Sequence, residues 1–381
     1  MSEESTEQSS SKSNYSRMIN ISAFLLTICV LGCGGEDPVT EAPLLSLQFK
    51  KPSTPNKKFE GNDLSTYDAK VLASEAYQSV LKKEYDKAVQ FQYWSVANTD
   101  GEEGLYNLAC YYSLKTDVEA SFYWMKIAAQ KEGVDADWAV DDPDLRSIRR
   151  DSRWPYVRQY LRKYNQYWSI SDIQETTLIV PAGYDGISEI PVMIGLHGMG
   201  SRAKSFVDED YQEYADELNI AFVGVSGTVP RGPTSFVWSE DHEKDLQRVN
   251  RALREVSDRL KPAKGKLILF GFSQGAMMSA EIAARHPDDY AGAIIMSPGG
   301  GFSPATGRLS AEEAHKRQGY IVVCGAEEHP GNVSNTRKYA SHMKRLNARV
   351  KERLYQDVSD HAFPPDYYEQ LPSWIEFILD E

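Results

Sequence analysis

Two textures of hydrophobic patterning divide the chain. Across residues 66–168 apolar side chains recur every three or four positions and strand-like runs are nearly missing, which predicts a region built from helices. From about residue 173 the texture changes. Short apolar runs at 177–180, 190–196, 220–225, 266–270, 292–296, 320–324 and 350–355 alternate with helical stretches at 203–218, 240–260, 274–286, 333–347 and 365–379. Strands buried on both faces lose their in-out alternation, so residues 173–381 are expected to form an α/β domain with a mostly parallel sheet flanked by helices. Within the helical region, 76–88 and 109–120 look like copies offset by 32 to 33 residues, close to the period of stacked helix-turn-helix repeats.

Tyr106-Asn-Leu-Ala-Cys-Tyr-Tyr-Ser-Leu114 resembles the first helix of a tetratricopeptide repeat. The segment 135–164, with Asp142-Pro-Asp-Leu-Arg146 and Asp151-Ser-Arg-Trp-Pro155, resembles the cap that ends such arrays. An aromatic stripe (Tyr85, Phe91, Tyr93, Trp94 and, one repeat on, Tyr111, Tyr112, Phe122, Tyr123, Trp124) is either interhelix core or a ligand groove, and the helical region is a candidate surface for a protein partner.

The first 33 residues are a different material. A Ser/Glu/Gln-rich start is followed by Arg17 and an apolar run over 19–31 that is too short for a bilayer span but has the length of a signal-peptide core. Its end, Val30-Leu-Gly-Cys33, resembles a bacterial lipobox, which implies lipidation of Cys33 and an exported, membrane-anchored protein. Cleavage to a soluble form and an uncleaved anchor are the alternatives, and translation starts at either Met1 or Met18. Residues 34–65, with Pro38, Pro43, Pro52 and Pro55, read as a linker.

Net charge narrows the partners. At -13 over 381 residues, with no run of lysine or arginine, the chain lacks the basic face that nucleic acid requires. Four cysteines at 29, 33, 110 and 324 match neither a zinc-ligand spacing nor a disulfide framework, and no motif calls for a metal or cofactor.

The chemistry concentrates at Gly271-Phe-Ser273-Gln-Gly275, set between a buried strand and a helix. A serine flanked by glycines fits a sharp strand-to-helix turn, and the N–H of Gln274 then points at the same space as the hydroxyl. A serine hydroxyl needs a base within hydrogen-bond reach, and imidazole suits neutral pH. Asp360-His-Ala362 follows the last strand and puts His361 among the candidates. His329 is its rival, His197 reads as part of a His-Gly loop, His286 as a helix end, and His242, His315 and His342 as surface helix positions.

Residues 173–381 resemble the α/β-hydrolase superfamily, and within it the phospholipase/carboxylesterase group that includes acyl-protein thioesterase-like and feruloyl-esterase-like enzymes. The resemblance rests on Ile194-Gly-Leu-His197-Gly-Met199-Gly200, the serine turn, Cys324-Gly-Ala-Glu-Glu328 and the His361 segment, in that order. It implies a Ser273, Glu328, His361 triad, an oxyanion hole from the N–H groups of Met199 and Gln274, and cleavage of carboxylic esters, thioesters included, on a small or polymer-linked substrate. The family's usual acid is Asp. Here Glu328 holds the register with Glu327 adjacent, and either one is open as the acid. Trp238 is either a wall of the substrate pocket or a packed core residue. The short connection over 297–317 suggests an open cleft without a large lid. A peptidase on the same fold, or a binding protein with a degenerate site, are the competing functions.

Overall fold

The computed structural model describes residues 39–380 apart from 100, 102, 304 and 305. The apolar run at 19–31 and Cys33 lie outside the described residues.

Helices α1 (Ala69–Leu81) and α2 (Tyr85–Asn98) form one hairpin, α3 (Leu105–Leu114) and α4 (Val118–Lys131) a second, and α5 (Trp154–Ser169) closes the helical region. Both hairpins turn in the same way. Lys83 and Thr116 take left-handed φ values of 60° and 66°. The next N–H reaches back to close the helix end, Glu84 to Ser79 O at 2.8 Å and Asp117 to Tyr112 O at 3.0 Å. The two turns fall 33 residues apart, so the offset in sequence is a period in space. Phe91, Tyr111, Tyr112, Phe122 and Trp124 are buried between the helices, with Tyr93, Trp94 and Tyr123 packed against them. Apart from the half-buried Tyr85, the aromatic stripe is interhelix core.

The linker expected over 34–65 is corrected from residue 45 onward. Leu45, Leu47 and Phe49 alternate along an extended chain, which puts them on one face, and all three pack on the helical core. Phe49 stacks on Phe122 with ring centroids 5.2 Å apart. Lys50 N–H donates to Glu119 Oε1 at 2.9 Å, and Trp94 Nε1–H to Asn56 O at 3.0 Å. Prolines forbid a helix here, yet an extended strap tolerates them.

The second region is α/β. Its strands are β1 (Thr176–Ile179), β2 (Glu189–Leu196), β3 (Ala221–Val225), β4 (Lys261–Phe272), β5 (Tyr290–Met296), β6 (Gly319–Gly325) and β7 (Arg349–Tyr355). They form one sheet in the order β7-β6-β5-β4-β2-β3-β1, parallel throughout except where β1 runs antiparallel to β3. Helices α6 (His242–Glu255), α7 (Gln274–Arg285) and α8 (Pro330–Arg345) cover one face, and α9 (Tyr367–Leu379) covers the other with the segment around Tyr211. The serine turn thus lies at the carboxyl end of the central strand, where open sheets of this kind place their ligands.

Two expectations need correction. The single helix over 203–218 is split into Ala203–Phe206 and Gln212–Leu218, because the Asp208 side chain accepts from Asp210 N–H and starts a new turn there. A hairpin of Val229–Gly232 and Ser235–Val237 also stands where no strand was expected, since Pro230 and Gly232 read as loop residues.

That hairpin joins the two regions. Thr234 N–H donates to Glu132 O at 3.1 Å, and Arg231 Nε pairs with Asp135 at 2.8 Å. Arg202 pairs with Glu103 at 2.6 Å, and Lys70 with Asp208 at 2.8 Å. At the closest point a Cβ on Gly232 would lie 2.2 Å from Glu132 O and 2.3 Å from Gly133 Cα. Both neighbours are backbone, so neither yields without moving a helix end. Gly232→Ala is therefore expected to destabilise the protein by about 1–3 kcal/mol, seen as a lower midpoint in chemical denaturation. An unchanged midpoint would show that the junction is looser than this packing.

Candidate active site

Strand β4 ends and helix α7 begins at Ser273, whose φ of 55° and ψ of -118° lie where L-residues are strained. The flanking glycines account for the shape. A Cβ on Gly275 would sit 1.9 Å from Leu196 O, and one on Gly271 would sit 2.2 Å from Gly275 O. The helix start therefore presses on the end of β2 with nothing between. Ser273 is only 3% exposed, so the site is more enclosed than the expected open cleft. Part of the cover is the loop after β5, where a Cβ on Gly299 would come 2.9 Å from Ser273 Oγ.

His361 lies on the loop after β7, its ring 4.6 Å from that of Phe272, the residue preceding the serine. Phe363, two residues on, packs against Phe272, Phe206 and Tyr367 and fixes this loop to the core. The Nδ1 atom of His361 is 2.9 Å from Glu328 Oε2. Its Nε2 is buried and makes no hydrogen bond. Glu328 itself is 4% exposed. Its Oε1 accepts from Ser297 Oγ at 2.6 Å and Gly325 N–H at 3.1 Å, and its Oε2 also accepts from Asn332 Nδ2 at 3.1 Å. Burial pushes this carboxyl upward, yet the hydrogen bond and charge of His361, then the bonds from Ser297 and Asn332, hold it below the usual range. Glu327 is exposed and its N–H donates to Val358 O at 3.0 Å, so of the two glutamates only Glu328 reaches the imidazole.

The His197 loop lies against the serine: a Cβ on Gly198 would be 3.3 Å from Ser273 Cβ. His197 Nε2 accepts from Gly227 N–H at 2.8 Å, which leaves the proton on Nδ1, directed to Gly198 O at 2.6 Å. Burial lowers its pKa to about 4. Gly200 N–H donates to Phe236 O at 2.9 Å, so the hairpin holds the loop that carries Met199. Gln274 opens α7, where the first N–H groups have no partner within the helix. Its side chain accepts from Trp238 N–H at 2.9 Å and donates to Trp238 O at 3.1 Å. Trp238 is 2% exposed, and its Nε1–H donates to His197 O at 2.9 Å. It is therefore a core residue tying Gln274 to the His197 loop, and the pocket-wall alternative is corrected, because a ring buried this far offers no surface to a ligand.

The other histidines are occupied elsewhere. His329 caps α8 through Gly331 N–H. His315 and His342 are buried, contrary to the surface positions expected, because His315 bonds Ala284 O at 2.9 Å and His342 lies under Phe302. His242 is largely buried as well, 3.1 Å from His286 through their Nε2 atoms. Sequence reasoning missed Ser297 and Asn332. Ser297, at φ 47°, ends β5 as Ser273 ends β4, and that parallel was the available signal.

A family model described as phospholipase/carboxylesterase matches residues 186–378. The chain belongs to that family. Solved structures with similar architecture include a carboxylesterase from Bacillus cereus (17% identity, covering 56% of this chain and 99% of that one, TM-score 0.41). Others are a phospholipase/carboxylesterase from Dyadobacter fermentans DSM 18053 (20%, 54% and 97%, TM-score 0.41) and a ferulic acid esterase from Anaeromyces mucronatus (17%, 55% and 86%, TM-score 0.40). No curated protein matches the chain. Family members of this kind are hydrolases, and the match spans the segments that carry Ser273, Glu328 and His361.

Because His197 titrates at about 4 when folded and at about 6.5 when unfolded, the unfolded chain takes up a proton that the folded chain refuses. Stability should therefore fall as pH drops through that window, by up to about 1.4 kcal/mol per pH unit. Glu328 adds a second loss at lower pH, since its stabilisation is complete above the unfolded value of about 4.3 and disappears as pH falls through the depressed folded value. Urea denaturation at stepped pH should show a shallower slope in His197→Gln than in the parent. Equal slopes above pH 4.5 would mean that His197 protonates freely in the fold.

Proposed function

We propose that the chain is a serine esterase acting through Ser273, His361 and Glu328. The observation that supports it best is the buried Glu328 carboxylate on His361 Nδ1, with Nε2 of the same ring unpartnered beside the strained serine turn. The bond from Ser273 Oγ to Nε2 is not made here. Forming it on substrate binding belongs to the proposal, as such bonds tighten in the Michaelis complex.

In this reading Ser273 Oγ attacks the ester carbonyl carbon while His361 Nε2 takes its proton. Glu328 keeps the other proton on Nδ1 and stabilises the imidazolium. The N–H groups of Met199 and Gln274 donate to the carbonyl oxygen as it becomes an oxyanion, each contributing roughly 3 kcal/mol because that charge exists only in the transition state. The imidazolium then protonates the departing alkoxide as the C–O bond breaks. Water, deprotonated by His361, attacks the acyl-serine, releases the acid and returns the proton to Oγ. The family's name favours an ester over a peptide bond.

The setting is proposed from sequence. The apolar run and Val30-Leu-Gly-Cys33 support export and lipid anchoring at Cys33, with the helical repeats beside the enzyme as a surface for a protein partner. Metabolic labelling with a fatty-acid analogue should mark the parent but not Cys33→Ser. Equal labelling of both would remove the anchor from the proposal.

The purified protein should react with a fluorophosphonate probe and hydrolyse short p-nitrophenyl esters, and Ser273→Ala should do neither. Glu328→Gln is expected to lower kcat by about 10²–10⁴, whereas Glu327→Gln changes it by less than about twofold. Full activity in Glu328→Gln would refute the triad.

A further inference from the structure

Two side chains that hold the Glu328 carboxylate each keep an unfavourable local feature. Ser297 is 1% exposed and takes a left-handed φ of 47°, where an L-residue is strained and glycine is not. A glycine there would relieve the backbone and remove the hydroxyl. That hydroxyl meets Glu328 Oε1 at 2.6 Å, the shortest bond the carboxylate makes. Asn332, in the first turn of α8, is also 1% exposed, and no described residue bonds its Oδ1. A buried amide with an acceptor left over fills space less well than a leucine of similar volume. Its other end is used, because Nδ2 donates to Glu328 Oε2 at 3.1 Å. The same Nδ2 lies 3.1 Å from His361 Nδ1, which is 2.9 Å from Oε2. A carboxylate only accepts, so Nδ1 carries a proton and cannot also accept from the amide. Amide and imidazole are therefore two donors on one oxygen.

Two donors on each oxygen aim the carboxylate in a way that its own stem does not. The last torsion of a glutamate is broad, and glutamate has one more torsion than aspartate. Turning that last bond would break the contacts of Ser297 and Gly325 with Oε1 and of Asn332 and His361 with Oε2 together. The two side chains also come from separate supports. Ser297 directly follows Met296, whose carbonyl accepts from Ser273 N–H at 3.0 Å, so its hydroxyl is referred to the strand end beside the nucleophile. Asn332 is fixed by the start of α8, where its N–H donates to His329 O at 2.9 Å and its carbonyl accepts from Thr336 Oγ1 at 2.9 Å.

We propose that Ser297 and Asn332 are positioning residues that clamp the Glu328 carboxylate in line with His361 Nδ1, and that a glutamate at this place does not orient the base without them. The clamp stands on the contacts of the carboxylate; its effect on turnover rests on the serine esterase reading.

The test combines turnover with a proton resonance, both in the full-length protein. Ser297→Ala and Asn332→Leu should each lower kcat for p-nitrophenyl acetate by about 10- to 100-fold while KM changes by less than about twofold, since neither side chain is placed to bind substrate. In a Glu328→Gln background the same substitutions should lower kcat by less than about threefold, because no carboxylate is left to aim. Equal losses in both backgrounds would show a damaged fold in place of a lost clamp and would overturn the proposal, as would parent-like kcat in either single variant. In proton NMR the Nδ1–H of His361, held against a carboxylate, should give a far-downfield resonance in the parent that is missing from His361→Gln. It should move or vanish in Ser297→Ala and in Asn332→Leu. A resonance absent from the parent, or unchanged in either variant, would overturn the clamp whatever the turnover. A parent that hydrolyses no ester, or Ser273→Ala turning over at the parent's rate, would count against the esterase reading, and the resonance would still decide the clamp.

Discussion

The start of helix α7 lies directly on the carbonyls of Leu196 and His197, and the site is arranged around that backbone contact. A Cβ on Gly275 would be 1.9 Å from the first oxygen and 2.5 Å from the second. Without a side chain in the way, the helix end can stand at the mouth of the sheet and turn its first N–H groups toward the serine. The same approach fixes where the His197 loop leaves β2, because both neighbours of the contact belong to that strand end. Trp238 then locks the arrangement from the side, with its indole on His197 O and its backbone paired to the Gln274 amide. The strain at Ser273, on the order of 1–3 kcal/mol for a residue held in such a region, persists because the surrounding packing leaves the turn no alternative.

A glutamate, and not the shorter aspartate, at the proposed acid position raises a problem of length and of charge. The extra methylene needs room, and it lies where Gly325 has no side chain; a Cβ there would approach Glu328 Cγ to 3.1 Å. The charge needs compensation, since a carboxylate removed from water loses several kcal/mol unless its lone pairs are filled. Ser297, Gly325, Asn332 and His361 supply four donors between them, and the net result is a carboxyl held on the ionised side. An ionised acid at that position keeps the His361 proton on Nδ1 and leaves Nε2 free to accept.

The parts legible in sequence were those dictated by local chemistry. Buried runs marked the sheet, and glycine spacing marked the serine turn, because each follows from a few adjacent residues. The parts that were not legible depend on partners far away in the chain. Leu45, Leu47 and Phe49 carry the period-two pattern of an extended strap, but their short run among prolines gives no hint that the helical core will receive it. Asn332 is one polar residue in the first turn of a helix until β7 and its following loop bring His361 to it, 29 residues later in sequence. His315 and His342 look like surface positions because their helical stretches are polar, but His315 reaches Ala284 O and His342 lies under Phe302 of the loop after β5. The choice between Glu327 and Glu328 is of the same kind: adjacent residues point opposite ways, and only the turn decides which one faces inward.

The helical repeats bear on the chemistry through the hairpin they support. Its first strand abuts the end of α4 at Gly133, and its second strand holds the His197 loop through Phe236, which bonds Gly200 and pairs with Ser201. On the opposite side, α1 brings Tyr77 close enough to the loop of His361 that burial, and then the carboxylate of Asp360, push its phenol up to about 12. The repeats thus brace the loop that carries a proposed oxyanion donor. A site assembled on separate loops keeps its geometry only if those loops are held from outside. In this chain the helical region, with its own core, helps to hold the His197 loop through backbone packing at Gly232 and ion pairs at Arg202, Arg231 and Lys70, while Phe363 holds the loop of His361.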